Sequence, residues 1–477
     1  MRTLGRSTLL LAVLPVVLVA QQVNFASSAP QRLRLTTSSE EASRHFWAGL
    51  SDARNLFFSR ATSHFDRVAS LDPNLGLARV FRASIAPGLT SEERKAEVDR
   101  GIASMTSAST GEMLMALAVR EGVADNRRQS QELFRTASDL LPGDPNVAFY
   151  AALSEDGRPA QIQALRSVTE KFPDDAPTYN ILAYDLWLSG DHAGGLTAVR
   201  KYMELAPDQP NAHDSYAELL QWDGRYSEAL DHYARAAQLD SSFSEAYLGS
   251  AEALTLMGRG ADARRQIQLA ISHTPSRISA VYATRALAHS YFLDGLYKEG
   301  MEQLTAAARD AQALNRRPLA AELHLEMAVF DAVLGQGTAI ASHLATANEV
   351  RGNANNPMQF AATAYANATA GDVATARQAA QKLKEAAGTD QELATALHVV
   401  NAAILLRENK PAEARAELSG ASPEDPLVRS LLAESYRTSG NLNDARTIKN
   451  QVISNPQFDL SDMHATVARV RASRIKL

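Results

Sequence analysis

The chain of 477 residues is longer than a single compact core normally grows, and it contains no cysteine, which excludes disulfide bonds and thiolate metal sites. The formal net charge of −6 argues against non-specific nucleic-acid binding, which needs a basic surface. A hydrophobic share of 45%, abundant alanine and the lack of alternating Val, Ile and Thr runs after residue 20 favour a folded, nearly all-α protein.

The N-terminus has the pattern of a secretory signal peptide over residues 1–28. Arg2 and Arg6 precede an apolar run at 9–20, which is too short to cross a bilayer comfortably and fits the apolar region of a signal peptide. Small residues follow, and cleavage after Ser28 fits better than cleavage at the end of the apolar run. We therefore expect an exported protein, periplasmic or secreted, with no integral membrane span in the mature chain. An uncleaved N-terminal membrane anchor is the alternative.

A 34-residue spacing separates Gly190, Gly224 and Gly258, and each glycine lies between two segments with helical apolar periodicity. Glycine permits a tight turn between two helices, because it adopts positive φ without steric cost. A small residue after each turn lets the second helix approach the first, and a proline or serine then ends that helix. The small residues are Gly195, Ala229 and Ala263, and the terminating residues are Pro207, Ser241 and Pro275. This period is typical of a helix-turn-helix repeat.

Weaker copies of this pattern lie on both sides of the strict units. Residues 45–73 repeat it with Ala61 in the small position, and Ala376, Ala414 and Ala445 each follow a turn residue in the same way. We therefore expect helical repeats along most of the chain. The predicted segments are a linker at 29–37, N-terminal degenerate repeats at 38–174, central repeats at 175–310, C-terminal degenerate repeats at 311–455 and a capping helix at 456–477.

The chain resembles the tetratricopeptide repeat (TPR) family in three consecutive stretches, AYDLWLSGDHAGGL, YAELLQWDGRYSEALDHYARAAQLD and YLGSAEALTLMGRGADARRQIQLAISHTP. Residues 210–243 match best, and Gly195 departs from the usual alanine but remains small. The resemblance implies an all-α fold, a TPR-type α-solenoid in which antiparallel helical hairpins stack into a superhelix. It also implies a concave face, lined by the first helix of each hairpin, that binds a protein or peptide partner.

In this family, partner contacts come from the first helix just before the turn. The resemblance therefore implies a set of partner-binding residues, which are Asn180, Tyr184, Trp187, Asn211, Asp214, Glu218, Gln221, Trp222, Glu252 and Thr255. Trp187 and Trp222 either form an aromatic platform in an acidic groove or pack between neighbouring hairpins, and both arrangements stay open. An acidic and aromatic groove suits a basic or apolar peptide.

One binding mode of the family is not expected. Some members clamp the C-terminal carboxylates of heat-shock chaperones with basic and amide side chains on successive first helices. The matching positions here hold Asn180, Tyr184, Asn211 and Ser215, so the basic side chains are missing.

No sequence motif for catalysis, metal binding or cofactor binding stands out. HExxH, GxSxG, P-loop and EF-hand patterns are absent, and the GQG at 335–337 follows no predicted strand. His45 and His213 occupy the aromatic position of the repeat, where packing against a neighbouring helix is expected. We predict no catalytic residues, no metal site and no cofactor. The basic C-terminal sequence RVRASRIKL is interpreted as the solvated face of a capping helix rather than a nucleic-acid or lipid patch.

These observations together predict a non-enzymatic scaffold of the cell envelope that binds a protein or peptide through its concave face and binds no nucleic acid. Two alternatives stay open. One is an envelope-associated enzyme or enzyme accessory with a site of scattered carboxylates. The other is a structural component of a secretion or membrane-assembly complex, which a large exposed apolar patch would favour.

Overall fold

The computed structural model describes residues 31–477, apart from residues 87–88, 338, 353–355 and 389. Every regular element in these ranges is a helix, which confirms the predicted all-α fold. The signal peptide predicted at 1–28 and the first two residues of the predicted linker lie outside the described residues. The described chain divides into two compact units, residues 31–49 with 62–154 and residues 50–61 with 155–477.

The first unit is built on a cluster of aromatic side chains. Phe46, Phe65 and Phe81 are almost fully buried, and the Phe65 ring centroid lies 5.9 Å from that of Phe46 and 6.2 Å from that of Phe81. Two of its helices begin with a capping box. The side chains of Thr90 and Ser109 each accept a hydrogen bond from the backbone N–H of the glutamate three residues later, and that glutamate accepts one in return. The helices are the start of α1 (Glu40–Arg54), most of α2 (Phe58–Leu71), α3 (Gly76–Ile85), α4 (Ser91–Ser104), α5 (Thr110–Val123), α6 (Arg127–Leu140) and α7 (Pro145–Leu153).

The segment expected as a polar linker is bound along the first unit instead. The Leu33 N–H donates to Asp144 at 2.9 Å, and the Leu33 side chain is buried. The Thr36 N–H and hydroxyl both donate to Glu112, at 2.8 and 2.5 Å. Asp144 is the N-cap of α7, and Glu112 lies in the first turn of α5. Negatively charged side chains are favoured at both positions, because the N-terminus of a helix carries partial positive charge. The segment is therefore ordered by side chains distant in sequence, which its own composition does not reveal.

The second unit is a stack of helical hairpins. From α9 to α24 each odd-numbered helix packs against the even-numbered helix that follows it, which confirms the predicted α-solenoid architecture. We call the odd-numbered members the first helices. The helices are α8 (Arg158–Lys171), α9 (Ala176–Leu188), α10 (His192–Leu205), α11 (Pro210–Trp222), α12 (Tyr226–Leu239), α13 (Ser244–Leu256), α14 (Gly260–His273), α15 (Arg277–Leu293), α16 (Tyr297–Ala313), α17 (Arg317–Leu334), α18 (Ile340–Arg351), α19 (Pro357–Ala370), α20 (Val373–Ala387), α21 (Gln391–Arg407), α22 (Pro411–Leu418), α23 (Pro426–Thr438), α24 (Leu442–Ile453) and α25 (Met463–Arg474).

The turns and helix contacts of the hairpins follow the predicted pattern. Gly190, Gly224 and Gly258 have φ of +93°, +79° and +74°, the left-handed region that favours glycine. A Cβ on Gly195 would lie 2.9 Å from the Ala183 carbonyl oxygen, which explains why this repeat carries glycine rather than alanine. The remaining small-position residues are fully buried; they are Ala61, Ala229, Ala263, Ala376, Ala414 and Ala445.

The last helix lies within the segment predicted as a capping helix at 456–477, but it does not cap the stack. α25 begins only at Met463, after Asp462 accepts from the His464 N–H as its N-cap. It packs against α15, α17, α23 and α24, so it lies along the first helices rather than on the end of the stack. Because helices so far apart in the stack meet one helix, the surface that they form is concave. Val467 and Ala468 are fully buried in the core of this unit, which holds α25 in place.

Candidate functional site

A column of polar side chains runs along successive first helices of the second unit. Its members, which we call the groove column, are Tyr184 on α9, Glu218 on α11, Glu252 on α13, His289 on α15 and Glu326 on α17. Two neighbouring pairs in the column are in contact, because the Tyr184 hydroxyl donates to Glu218 and His289 Nε2 lies 3.2 Å from Glu326 Oε2. The contacts show that these residues share one face of the hairpin stack.

The column binds the backbone of a segment from near the C-terminus. This segment, residues 455–462 between α24 and α25, is called the docked loop. The Leu460 N–H donates to Glu252 Oε1 at 3.2 Å, and His289 Nδ1 donates to the Leu460 carbonyl at 2.7 Å. His289 therefore lies between two acceptors, the Leu460 carbonyl and the Glu326 carboxylate. Both polar backbone groups of Leu460 are thus held by the column.

Two apolar side chains anchor the docked loop. Phe458 and Leu460 are buried in a cluster that also contains Leu254 and Ile267 from the hairpin α13–α14. The Arg469 guanidinium carbon lies 4.5 Å from the centre of the Phe458 ring, a cation–π contact. Burial of Arg469 lowers its pKa to about 10. The loop therefore buries the side chains of Phe458 and Leu460, while the backbone of Leu460 is held by Glu252 and His289.

Three carboxylates in the C-terminal half of the groove, Glu326, Asp425 and Glu434, each lie beside a basic side chain. Arg285 and His289 contact Glu326, and their charges and hydrogen bonds lower the pKa of Glu326 although burial opposes this. α25 supplies the other two cations. Its Arg471 pairs with Glu434 and its His464 lies 3.3 Å from Asp425. Burial opposes protonation of His464, but the hydrogen bond to Asp425 and the charge of that carboxylate raise its pKa overall.

The N-terminal half of the groove has carboxylates without such matches. Asp214, Glu218 and Glu252 are half-buried, and within the described ranges none of them forms an ion pair with Lys, Arg or His. Burial raises the pKa of all three, and neighbouring carboxylates raise each pKa further, including Glu218 beside Asp214 and Asp459 beside Glu252. This half of the groove therefore concentrates carboxyl groups beside which the described chain places no cation.

Several residues of the predicted binding set face the groove. Tyr184, Glu218 and Glu252 are members of the column, and Asp214 lies one helical turn before Glu218 on α11. Trp222 is half-buried, with its ring centroid 5.6 Å from that of Tyr184 in an edge-on arrangement. The structure thus brings together an acidic and aromatic group of side chains on α9, α11 and α13.

Other residues of the predicted set are buried or hydrogen-bonded within the repeats. Trp187 is buried and stacks on His192 of α10 at a centroid distance of 4.3 Å, so packing between helices is the arrangement found for this tryptophan. Gln221 is fully buried and accepts from the Tyr233 hydroxyl, and Asn211 donates to Tyr202. The remaining two are Asn180, which is fully buried, and Thr255, which donates to the Ala251 carbonyl of its own helix.

Sequence reasoning missed the C-terminal contributors to this site. His289 and Glu326 occupy the same position of the hairpin as Tyr184, Glu218 and Glu252. The first three residues of the column are 34 residues apart, whereas the steps to His289 and Glu326 are each 37 residues. A search that allowed this longer step would have found both. The docked loop carries a weaker signal, two apolar residues separated by one within a turn-like segment, and nothing local indicates where it binds.

Within the described ranges, no three His, Asp or Glu side chains are grouped so that they could hold a metal ion. In the same part of the chain, none of the helices combines the length and the apolar character needed to cross a membrane.

Comparison with known proteins identifies the repeat. Residues 223–288, which span α12 to the middle of α15, match the description "Tetratricopeptide repeat". No curated protein sequence matches the chain. Among solved structures, MamA is 13% identical over 34% of this chain and 91% of its own, with a TM-score of 0.30.

Two further solved structures resemble parts of the chain. The PilF protein of Pseudomonas aeruginosa is 12% identical over 43% of this chain and 91% of its own, with a TM-score of 0.33. A tetratricopeptide repeat protein from Parabacteroides merdae is 10% identical over 56% of this chain and 93% of its own, with a TM-score of 0.35. At these identities and scores, the likenesses carry no argument about function.

Proposed function

The chain is a tetratricopeptide repeat protein, and from this premise we propose that it is a non-enzymatic scaffold that binds a segment of a partner protein along the groove column. Repeats of this family bind protein partners. The observation that carries the proposal is the binding of Leu460, whose N–H donates to Glu252 and whose carbonyl accepts from His289. These contacts engage backbone atoms, which every peptide has, so the same face is suited to a peptide from another protein.

The position of the docked loop indicates where a partner binds. The loop reaches α13 and α15, and α25 continues along α15, α17 and α23. The column extends beyond this stretch through Glu218 and Tyr184 on α11 and α9, where Trp222 is half-buried beside them. We assign partner binding to this N-terminal half of the groove, because an aromatic side chain among polar groups is a frequent interface anchor.

The converging carboxylates also match what the enzymatic alternative requires. Their contacts favour binding, since Glu218 accepts from the Tyr184 hydroxyl and Glu252 accepts from the Leu460 N–H. Both act as hydrogen-bond acceptors that position other groups. This use supports the scaffold as the proposed function.

The proposal includes export to the cell envelope, which the signal-peptide pattern at 1–28 supports. The test is a fusion of residues 1–37 to alkaline phosphatase, an enzyme that becomes active only after export because it needs disulfide bonds. We expect active phosphatase, and a Leu10→Arg/Val13→Arg control within the apolar run should abolish it. Inactive fusion protein in the cytoplasm would contradict the assignment. Release by osmotic shock separates a cleaved signal from an uncleaved anchor.

The binding proposal is tested with the full chain and a phage-displayed library of random 12-residue peptides. We expect enriched peptides whose binding is at least about tenfold weaker to Trp222→Ala, the loss typical of an interface hot spot. The matched control is Leu269→Ala, which truncates an exposed side chain on the second helix α14. Failure to enrich any peptide, or equal binding to both variants and the unmodified chain, would overturn the proposal.

A further inference from the structure

We propose that the partner segment held at α9, α11 and α13 is basic and places Lys or Arg side chains against Asp214 and Glu218. The inference rests on the proposed function and specifies its ligand. It commits this half of the groove to one class of occupant, a cationic peptide.

The first argument comes from the two halves of the same groove. In the C-terminal half, Glu434 and Asp425 receive Arg471 and His464 from α25, a basic segment of the chain itself. In the N-terminal half, Asp214 and Glu218 receive no cation from the described residues. α25 thus shows how this concave surface binds a basic segment, and its path ends before the acidic helices begin. A basic partner would extend the same charge-complementary interface.

The second argument is that buried polar atoms in this region lack partners. Asp214 Oδ1 is buried and accepts no hydrogen bond from the described chain. Asn180 is fully buried, and neither its amide oxygen nor its amide nitrogen has a partner there. Asn180 lies one helical turn before Tyr184 on α9, and Asp214 lies one turn before Glu218 on α11. The two residues therefore occupy equivalent positions on neighbouring first helices. Unpaired buried polar groups are uncommon in folded proteins and indicate an expected ligand group or water.

The third argument is the aromatic wall beside the carboxylates. Tyr184 and Trp222 meet edge-on at 5.6 Å, and both are half-buried. An aromatic ring next to carboxylates favours a cation, because the ring face attracts positive charge while the carboxylates neutralise it. The combination suits the guanidinium of arginine, which pairs with carboxylates and stacks on rings at once.

Unmatched carboxylates also cost stability in the absence of a partner. Burial raises the pKa of Asp214 and Glu218, and neighbouring carboxylates raise both further, so their ionised forms are disfavoured in the folded protein. Neutral isosteres should therefore stabilise the partner-free chain while they weaken binding. If the two carboxylates served only to stabilise the fold, replacing them with neutral isosteres would lower the stability of the partner-free chain instead of raising it.

The experiment uses the peptides returned by panning on the full chain. Each peptide is remade with its Lys and Arg replaced by Gln, and binding is measured by fluorescence anisotropy to the unmodified chain and to Asp214→Asn/Glu218→Gln. We expect about 10- to 100-fold weaker binding for either change, strong weakening by added salt, and a higher Tm at pH 8 for the double variant. The matched control is Asp223→Asn/Asp231→Asn, which removes two exposed charges from the same repeat.

The outcomes separate this inference from the proposed function. Peptides that bind at Trp222 but contain no cation, or that tolerate the double variant, overturn the basic-ligand inference and leave the scaffold intact. Equal weakening by the Asp223→Asn/Asp231→Asn control reduces the effect to overall charge and also overturns the inference. If no peptide binds in the groove, both the inference and the scaffold function fail.

Discussion

Glu252 on α13 accepts a hydrogen bond from the backbone N–H of Leu460, a residue 208 positions later in the chain. The carbonyl of the same leucine is bound by His289 on α15. The two contacts join neighbouring first helices through a segment that comes after all the hairpins. The groove is therefore completed only when the end of the chain has docked into it.

The first prediction concerns this contact. In Glu252→Ala the Leu460 amide loses its acceptor, and a hydrogen bond of this kind contributes about 1 kcal/mol. We therefore expect the amide of Leu460 to exchange with solvent about fivefold faster, measured by hydrogen–deuterium exchange with fragmentation to single residues. Glu245→Ala, at an exposed position near the start of α13, is the control and should leave the rate unchanged. Unaltered exchange in Glu252→Ala would show that the docked loop does not depend on this carboxylate.

The second prediction separates the two tryptophans. Trp187 is 5% exposed and packs on α10, so Trp187→Ala should lower the free energy of unfolding by about 3–5 kcal/mol through the cavity that it leaves. Trp222 is half-buried, and Trp222→Ala should cost clearly less. Urea unfolding followed by circular dichroism measures both. Equal losses would place Trp222 in the core as well and remove it from the binding surface.

The repeat architecture was predictable because its determinants are local. Gly224 and Ala229 carry the turn and the close helix contact within one hairpin, and a regular period repeats that information along the chain. Tyr184, Glu218 and Glu252 follow from the same period, since residues in equivalent positions of stacked repeats fall on one face. The part of the site that obeys the repeat could therefore be derived from the sequence.

What lies outside the repeat could not be derived. Leu33 is held by Asp144, and Leu460 by Glu252 and His289, through contacts between distant parts of the chain that no local pattern encodes. The orientation of Trp187 also escaped prediction. A shift of one or two residues in helix phase moves a side chain from the groove to the hairpin interior, and the sequence does not fix the phase that closely.

The third prediction concerns a buried ion pair in the second unit. Arg54 and Asp175 are both buried and their charged groups are 2.5 Å apart, with Thr178 also donating to Asp175. Arg54→Ala should cost about 3–5 kcal/mol, because it leaves a buried carboxylate without its cation. The exposed pair Arg225–Glu228 is the comparison, and Arg225→Ala should cost less than about 1 kcal/mol. Chemical denaturation of both variants tests the difference, and equal costs would contradict it.

The fourth prediction distinguishes two kinds of glycine. Gly224 has positive φ and open space around it, and Asn409 takes the same place in the turn between α21 and α22 with φ of +59°. Gly224→Asn should therefore cost less than about 1 kcal/mol. A Cβ on Gly249 would lie 2.3 Å from the Tyr233 ring, so Gly249→Ala should cost about 1–3 kcal/mol by overpacking. Thermal unfolding compares the two, and a larger loss for Gly224→Asn would refute this assignment.

The last prediction is a loss of stability in mild acid caused by a histidine pair. His213 Nε2 donates to the Pro207 carbonyl at 3.0 Å, which leaves Nδ1 of the neutral ring free to accept from His232 Nδ1 at 3.1 Å. Burial lowers the pKa of both histidines, and the neighbouring His213 lowers that of His232 further. The unfolded chain therefore takes up protons at a higher pH than the folded chain does.

It follows that the pair stabilises the fold fully above the ordinary histidine pKa of about 6.5 and less as the pH falls below it. We expect the Tm to decrease between pH 7.5 and pH 5.5, and the decrease to be smaller in His232→Gln, which removes one titrating ring and the second charge from the contact. His273→Gln, at an exposed position, should keep the decrease of the unmodified chain. A decrease of the same size in His232→Gln and in the unmodified chain would assign the acid sensitivity to other groups.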